Sequence, residues 1–204
     1  MIDIHFQWTR SLAYECVTLG SRKYISPVGK KRDTPFEPLK FDCEKPLFLR
    51  FAELDGSEES CLRFAYHWGL LRSELQSKSE ALEDWREQIK DMSQRISWFG
   101  TDDAAPRAPK LPPGEAWKLT NLEVLLVPAR SETKRFAMVL QPKNLIEAMH
   151  LQLATSVAGS GSIRTCKQCG SWFESGASES RRSVAIFCSE KCKNRFHYLE
   201  RAKR

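Results

Sequence analysis

Cysteine is the residue type with the most chemistry in this chain. Four of its seven cysteines crowd toward the C-terminus as Cys166-x2-Cys169 and, after eighteen residues, Cys188-x3-Cys192. Two thiolates separated by two residues reach one metal ion when the backbone turns tightly, and Gly170 makes such a turn accessible. Ser189 can cap a helix opening at Glu190, which puts Cys188 and Cys192 one turn apart where exposed N–H groups and the helix dipole favour thiolate charge. Between the pairs, Trp172 and Phe173 begin a strand and Val184–Phe187 form a returning one. Four thiolates, Cys166, Cys169, Cys188 and Cys192, fill a tetrahedral zinc shell with no position left for water or substrate, so one structural Zn2+ is expected. An iron–sulfur cluster is the alternative for the same ligands, and His197 is a competing ligand that lies too far down the helix to join Cys192 easily. The single cysteines Cys16, Cys43 and Cys61 read as small buried apolar residues.

The charge points the same way. Net charge is +6 and the isoelectric point about 9.0. From Arg164 onward ten Lys and Arg face four Glu, so the surplus sits in the cysteine-bearing segment and the rest of the chain is formally neutral. At about 100° per residue, Cys192, Phe196 and Leu199 share the metal side of the last helix, and Lys193, Asn194, His197, Arg201 and Arg204 take the other. With Arg195, and with Arg181 and Arg182 on the facing loop, they make a surface suited to phosphates. The competing account is that these cations only offset the formal charge of about −2 on a zinc tetrathiolate centre.

Other chemistry is sparse. The chain has no GxxxxGK[ST], GxGxxG, HExxH or GxSxG. A nuclease on the same scaffold would need a catalytic histidine and an open metal position, and only His197 is near, so no enzyme is expected. Asp102 and Asp103 stand in the Pro-rich stretch 101–114 and read as solvated carboxylates. Trp8, Trp68, Trp85 and Trp98 lie in apolar patterns and belong to a core, whereas Trp172, beside the knuckle, is a candidate base-stacking platform.

The elements that must position these groups suggest an α+β chain. An N-terminal domain of mixed helices and strands, 1–157, includes the connector 101–114 and precedes a small treble-clef-like four-cysteine zinc finger, 163–204. Residues 1–55, with short apolar runs Ile2–Trp8 and Pro46–Phe51, predict strands and loops; a helix is expected over Ser57–Leu75. Leu82, Trp85, Ile89, Met92, Ile96 and Phe99 recur at steps of three and four and predict a helix over Ser79–Phe99, with a capping box of Ser77 and Glu80 and a stop at Gly100. Leu122–Val127 and Phe136–Leu140 predict a hairpin, and Asn144 caps a helix ending in the flexible stretch 158–162, the expected hinge before the finger. Mean hydropathy is −0.47 and no run approaches the roughly 20 apolar residues of a membrane span. The first residues lack the apolar stretch of a secretory signal, so a cytoplasmic protein is expected.

The segment Cys166–Arg204 resembles the CGNR-type zinc fingers of bacteria, which follow an ABATE-like N-terminal domain in stress-linked transcription regulators. CKNR at 192–195 stands where CGNR would, with Lys193 in place of the glycine, and RRSVAIFCS at 181–189 resembles the approach to the third ligand. FAYHWGLL at 64–71 and LIEAMHLQLA at 145–154 are similar to parts of the preceding domain. The resemblance implies zinc on the four cysteines and a finger that contacts nucleic acid, DNA before RNA, as a transcriptional regulator. The alternative partner is a protein, in an adaptor or a homodimer.

Overall fold

Apolar residues in the first part of the chain come in runs too short and too interrupted for helices, and they fold as brief strands. The computed structural model describes residues 3–4, 6–28, 34–36, 45–72, 79–101, 119, 121–128, 136–159, 162–175 and 185–203. The strands are β1 (Asp3–Ile4), β2 (Trp8–Arg10), β3 (Tyr14–Leu19), β4 (Arg22–Pro27) and β5 (Thr34–Phe36). β3 and β4 pair as an antiparallel hairpin, and β2 pairs with β5. Together with the helices below they make the fold α+β.

The run at 46–51 is not a strand. Leu47–Ala52 forms the helix α1, with Leu47, Phe48, Leu49, Phe51 and Ala52 all buried. A segment apolar on every side has no periodicity to separate helix from strand, so the surroundings decide. Here Gln152 decides in part, because its Oε1 accepts from Leu47 N at 3.0 Å and Phe48 N at 3.3 Å, two of the orphan donors of a helix start.

α2 (Glu58–Trp68) begins at Ser57, whose Oγ accepts from Ser60 N, and stops earlier than the Leu75 expected. Gly69 ends it at φ +88°, where a Cβ would lie 2.9 Å from both Thr9 O and Trp8 Nε1. That close approach lets Trp8 donate to Leu70 O at 3.1 Å.

α3 (Leu82–Phe99) buries Leu82, Trp85, Ile89, Met92 and Ile96, the stripe its spacing predicts. Of its expected capping box, Ser77 lies outside the described residues. Glu80 belongs to the short strand β6 (Glu80–Ala81), and its carboxylate accepts from Leu71 N, Arg72 N and Trp85 Nε1 at 2.8, 2.6 and 2.9 Å. The residue ties the turn after α2 to α3. The connector from 102 to 118, with Asp102 and Asp103, lies outside the described residues.

Past the strand β7 (Gly100–Thr101), β8 (Leu122–Pro128) and β9 (Phe136–Pro142) form the predicted hairpin, with β1 parallel on β9. α4 (Leu145–Ala158) starts at Asn144, whose side chain accepts from Glu147 N at 2.9 Å. The first three helices and α4 enclose one apolar cluster in which Phe48, Phe51, Trp85, Met92, Leu145 and Met149 are completely buried. Trp85 meets Phe51 and Phe64 edge-on at 6.2 and 6.0 Å. Trp8 is buried and Trp68 packs on the cluster; Trp98 is half-buried under the Arg95 guanidinium. Cys61 is in the core, where burial pushes its thiol up to about 11, and Cys16 is half-buried; Cys43 lies outside the described residues.

The chain then enters β10 (Ser162–Thr165), pairs it antiparallel with β11 (Trp172–Ser175), and ends in α5 (Glu190–Ala202). β10 also runs parallel to β7. Ile163 sits inside the main apolar cluster, Trp172 packs against it, and Trp172 N donates to Glu53 Oε1 at 2.9 Å. Thus the stretch 158–162, expected as a hinge, joins two elements that contribute to one core. No helix among the described residues is long and apolar enough to cross a membrane.

Candidate metal centre

Two local structures bring the cysteines together. The first is the turn between β10 and β11. Cys166 N donates to Ser171 O at 2.9 Å and Gly170 N to Cys166 O at 2.8 Å, closing a tight knuckle around Cys166 and Cys169. Gly170 adopts φ +73°, a left-handed conformation that costs glycine little and other residues more. The second is the start of α5, where Ser189 Oγ accepts from Cys192 N at 3.3 Å and fixes the turn that carries Cys188 and Cys192. Lys167 N donates to Ile186 O at 3.0 Å and Cys188 N to Cys166 Sγ at 3.4 Å, which clamps the halves together. The strand expected over 184–187 is not formed: Ala185–Phe187 carry no strand pairing, and Val184 lies outside the described residues. One backbone hydrogen bond takes the place of a ladder. The strand that precedes the knuckle, β10, is the partner β11 uses instead.

All four sulfurs lie within 4.8 Å of one another. Cys188 Sγ is 3.7 Å from Cys169 Sγ and 3.5 Å from Cys192 Sγ. Four sulfurs about 2.3 Å from a central zinc would stand about 3.8 Å apart, so the donor set and spacing fit one tetrahedral metal ion. Among the described residues no histidine or carboxylate joins the group. His197 is exposed and lies edge-on to Phe187 at 6.0 Å.

The electrostatics show what the sulfurs lack. Burial alone would push the Cys166 thiol up, yet N–H groups of Cys188, Cys169 and Gln168 directed at its sulfur bring it down to about 6. Cys188 moves the other way, to about 12, through burial and the crowding of Cys192, Cys166 and Cys169 around it. One sulfur is prepared as a thiolate and its neighbour then resists a second negative charge. A divalent cation at the centre removes that conflict, since its own charge dominates the site.

The helix carrying the second pair stands clear of the core. α5 buries none of its residues. Phe196 is half-buried against Phe187 at 5.2 Å, with Lys167 Nζ 5.1 Å from the Phe196 ring centre. Leu199, expected on the metal side, is 42% exposed and Tyr198 is 72% exposed. Lys193, Asn194, Arg195, His197 and Arg201 are all exposed, as their assignment to a binding surface requires, whereas Arg181, Arg182 and Arg204 lie outside the described residues. Exposed Lys191 stands beside this surface, whereas Lys167, also exposed, stands over Phe196 on the side of the helix that seats it. Trp172, the candidate stacking platform, is half-buried and packs against the core.

The four cysteines therefore form a centre able to hold one metal ion. No family model, no curated protein and no solved structure matches this chain.

Proposed function

We propose that this chain is a zinc-dependent nucleic-acid-binding protein, a cytoplasmic DNA-binding transcriptional regulator of the CGNR type rather than an enzyme. The observation that carries this reading is the exposure of α5, a basic helix anchored at one end by the cysteine centre and buried nowhere. Zinc, when bound, supplies a closed tetrahedral cross-link between the knuckle and the helix, which suits a structural and not a hydrolytic role. The chain's own groups do the binding. Lys191, Arg195 and Arg201 have exposed side chains, and Lys193 is exposed beside Glu190 at 3.3 Å. Such cations exchange condensed counterions for contact with phosphates. A second reading, a protein-binding adaptor, is favoured by the exposed Ile186, Tyr198 and Leu199 around the same helix.

Fluorescence anisotropy of the zinc-loaded chain on a random-sequence DNA duplex tests the choice. Affinity should fall steeply with salt, by a log–log slope of about −0.9 for each phosphate contacted, and should weaken when Arg195 and Arg201 are replaced by Ala. Binding that ignores both salt and these substitutions would refute the nucleic-acid reading, and absence of duplex binding would favour the adaptor.

A further inference from the structure

Phosphate contact alone does not account for how side chains are arranged around α5. Asn194, His197, Tyr198 and Arg201 follow one another at i, i+3, i+4 and i+7, so they form one stripe on the helix, and all four are exposed. The stripe lies opposite Cys192 and Phe196, the two half-buried residues that seat the helix. Each of its members can donate or accept hydrogen bonds, and none is an aliphatic residue needing cover. The cations stand beside it: Lys193 on one flank, Lys191 and Arg195 on the other. Glu190, four residues before Asn194, continues the same line into the first turn, where Lys193 pairs with it at 3.3 Å.

A line of hydrogen-bonding groups with cations on both flanks matches a duplex groove, where base edges run between two phosphate walls. The dimensions agree. A bare helix fits a major groove about 12 Å wide. From Asn194 to Arg201 the helix rises about 10 Å, roughly three base-pair steps. α5 makes no broad packing contact with another described helix or strand that would keep it out of a groove. Asn pairs bidentately with adenine and Arg with guanine, and these two side chains stand at the ends of the stripe.

Resting on the nucleic-acid reading above, we infer that α5 is a sequence-reading helix for duplex DNA, inserted in the major groove with Asn194 and Arg201 as base-contacting residues and Lys191, Lys193 and Arg195 on the flanking phosphates. The ligand is thus a short, specific duplex site and not duplex DNA in general.

The experiment uses the zinc-loaded full chain. A duplex pool with a randomised centre is selected for binding, and anisotropy is then measured on the recovered sequence and on a scrambled duplex of the same length and composition. The recovered duplex should bind at least about tenfold more tightly than the scrambled one, the scale of one bidentate base contact. Asn194→Ala and Arg201→Lys should lower affinity for the recovered duplex and remove most of that ratio, whereas Lys193→Ala should weaken both duplexes alike and leave the ratio in place. Both stripe residues are exposed, and circular dichroism with zinc content confirms that each variant keeps its fold. Equal affinity for both duplexes overturns this inference while leaving phosphate binding intact. No affinity for any duplex overturns the nucleic-acid reading along with it.

Discussion

The core around α3 and the segment around α5 are helices held by different forces. α3 places five residues in a shared apolar cluster, with Trp85, Leu82, Met92 and Ile96 wholly or almost wholly shielded from water. α5 has a similar amphipathic spacing but buries nothing, and its seat consists of half-buried Cys192 and Phe196. Area removed from water stabilises the first, at roughly 25 cal/mol per Å2. The second has too little such area, and a metal ion held by the four cysteines would supply the cross-link between the two halves of the centre. β10 marks the junction, since Ile163 belongs to the core and Cys166, three residues later, to the centre.

Removing the metal is the strongest way to test that contrast. Structural zinc contributes on the order of 10 kcal/mol to small fingers, nearly all of it folding energy. Chelation of the full chain should therefore abolish hydrogen-exchange protection across Glu190–Ala202, while amides of α3 and α4 stay protected and the main thermal transition persists. Continued protection of α5 without metal would show that the Phe187–Phe196 contact suffices to hold it, and the contrast would fail.

The converse perturbation is Trp85→Ala. It opens a cavity against Phe51 and Phe64 and takes one donor from the Glu80 carboxylate, and core aromatic truncations cost about 3–5 kcal/mol. The melting temperature should drop sharply in calorimetry. Where the variant remains folded, it should still take up one zinc per chain, because no ligand touches Trp85. A loss of zinc stoichiometry at a temperature where the core is folded would mean that the regions are one cooperative unit.

This contrast also explains what is legible in the sequence. Cysteine spacing and the Ser189 cap are local, and both reappear in the structure, with all four sulfurs within 4.8 Å. The α3 stripe is readable because one face is buried and the other wet. Pro46–Phe51 reads as a strand yet folds as a helix, since burial on all sides erases the period, and the acceptor that favours helix there, Gln152, is about a hundred residues away. Glu80 reads by spacing as part of a helix start, yet it lies in β6 and its carboxylate also binds Leu71 and Arg72 from the preceding loop, partners that spacing does not show. The attachment of β10 to β7 and of Trp172 to Glu53 is equally invisible, because long-range pairing leaves no mark on a four-residue strand. Leu199 follows the helical wheel yet is exposed, since a wheel tells which side a residue takes and not how far the covering surface extends.

Acid gives the subtlest separation of the two regions. Asp91, on α3, is partly buried, which alone would raise its pKa. The His150 imidazole 3.5 Å away and the Arg95 guanidinium at 2.6 Å outweigh burial and bring the carboxyl down from 3.8 to about 2. A carboxyl with a lowered folded-state pKa adds stability that is present above its unfolded value and is lost as pH falls through the folded one, here between about 4 and 2. The contribution is modest because Asp91 remains 36% exposed and solvent screens the pair. Metal release needs less acid, since protons compete with the cation for every thiolate at once. Stepwise acidification should therefore free zinc and unfold α5 first, as read by a chromogenic zinc indicator and α5 amide signals, with core stability declining only below about pH 4. Asp91→Asn should flatten that lower decline and leave the zinc-release midpoint in place. A coincident loss of zinc and core signal in the unmodified chain would instead make the cysteine centre part of what holds the core.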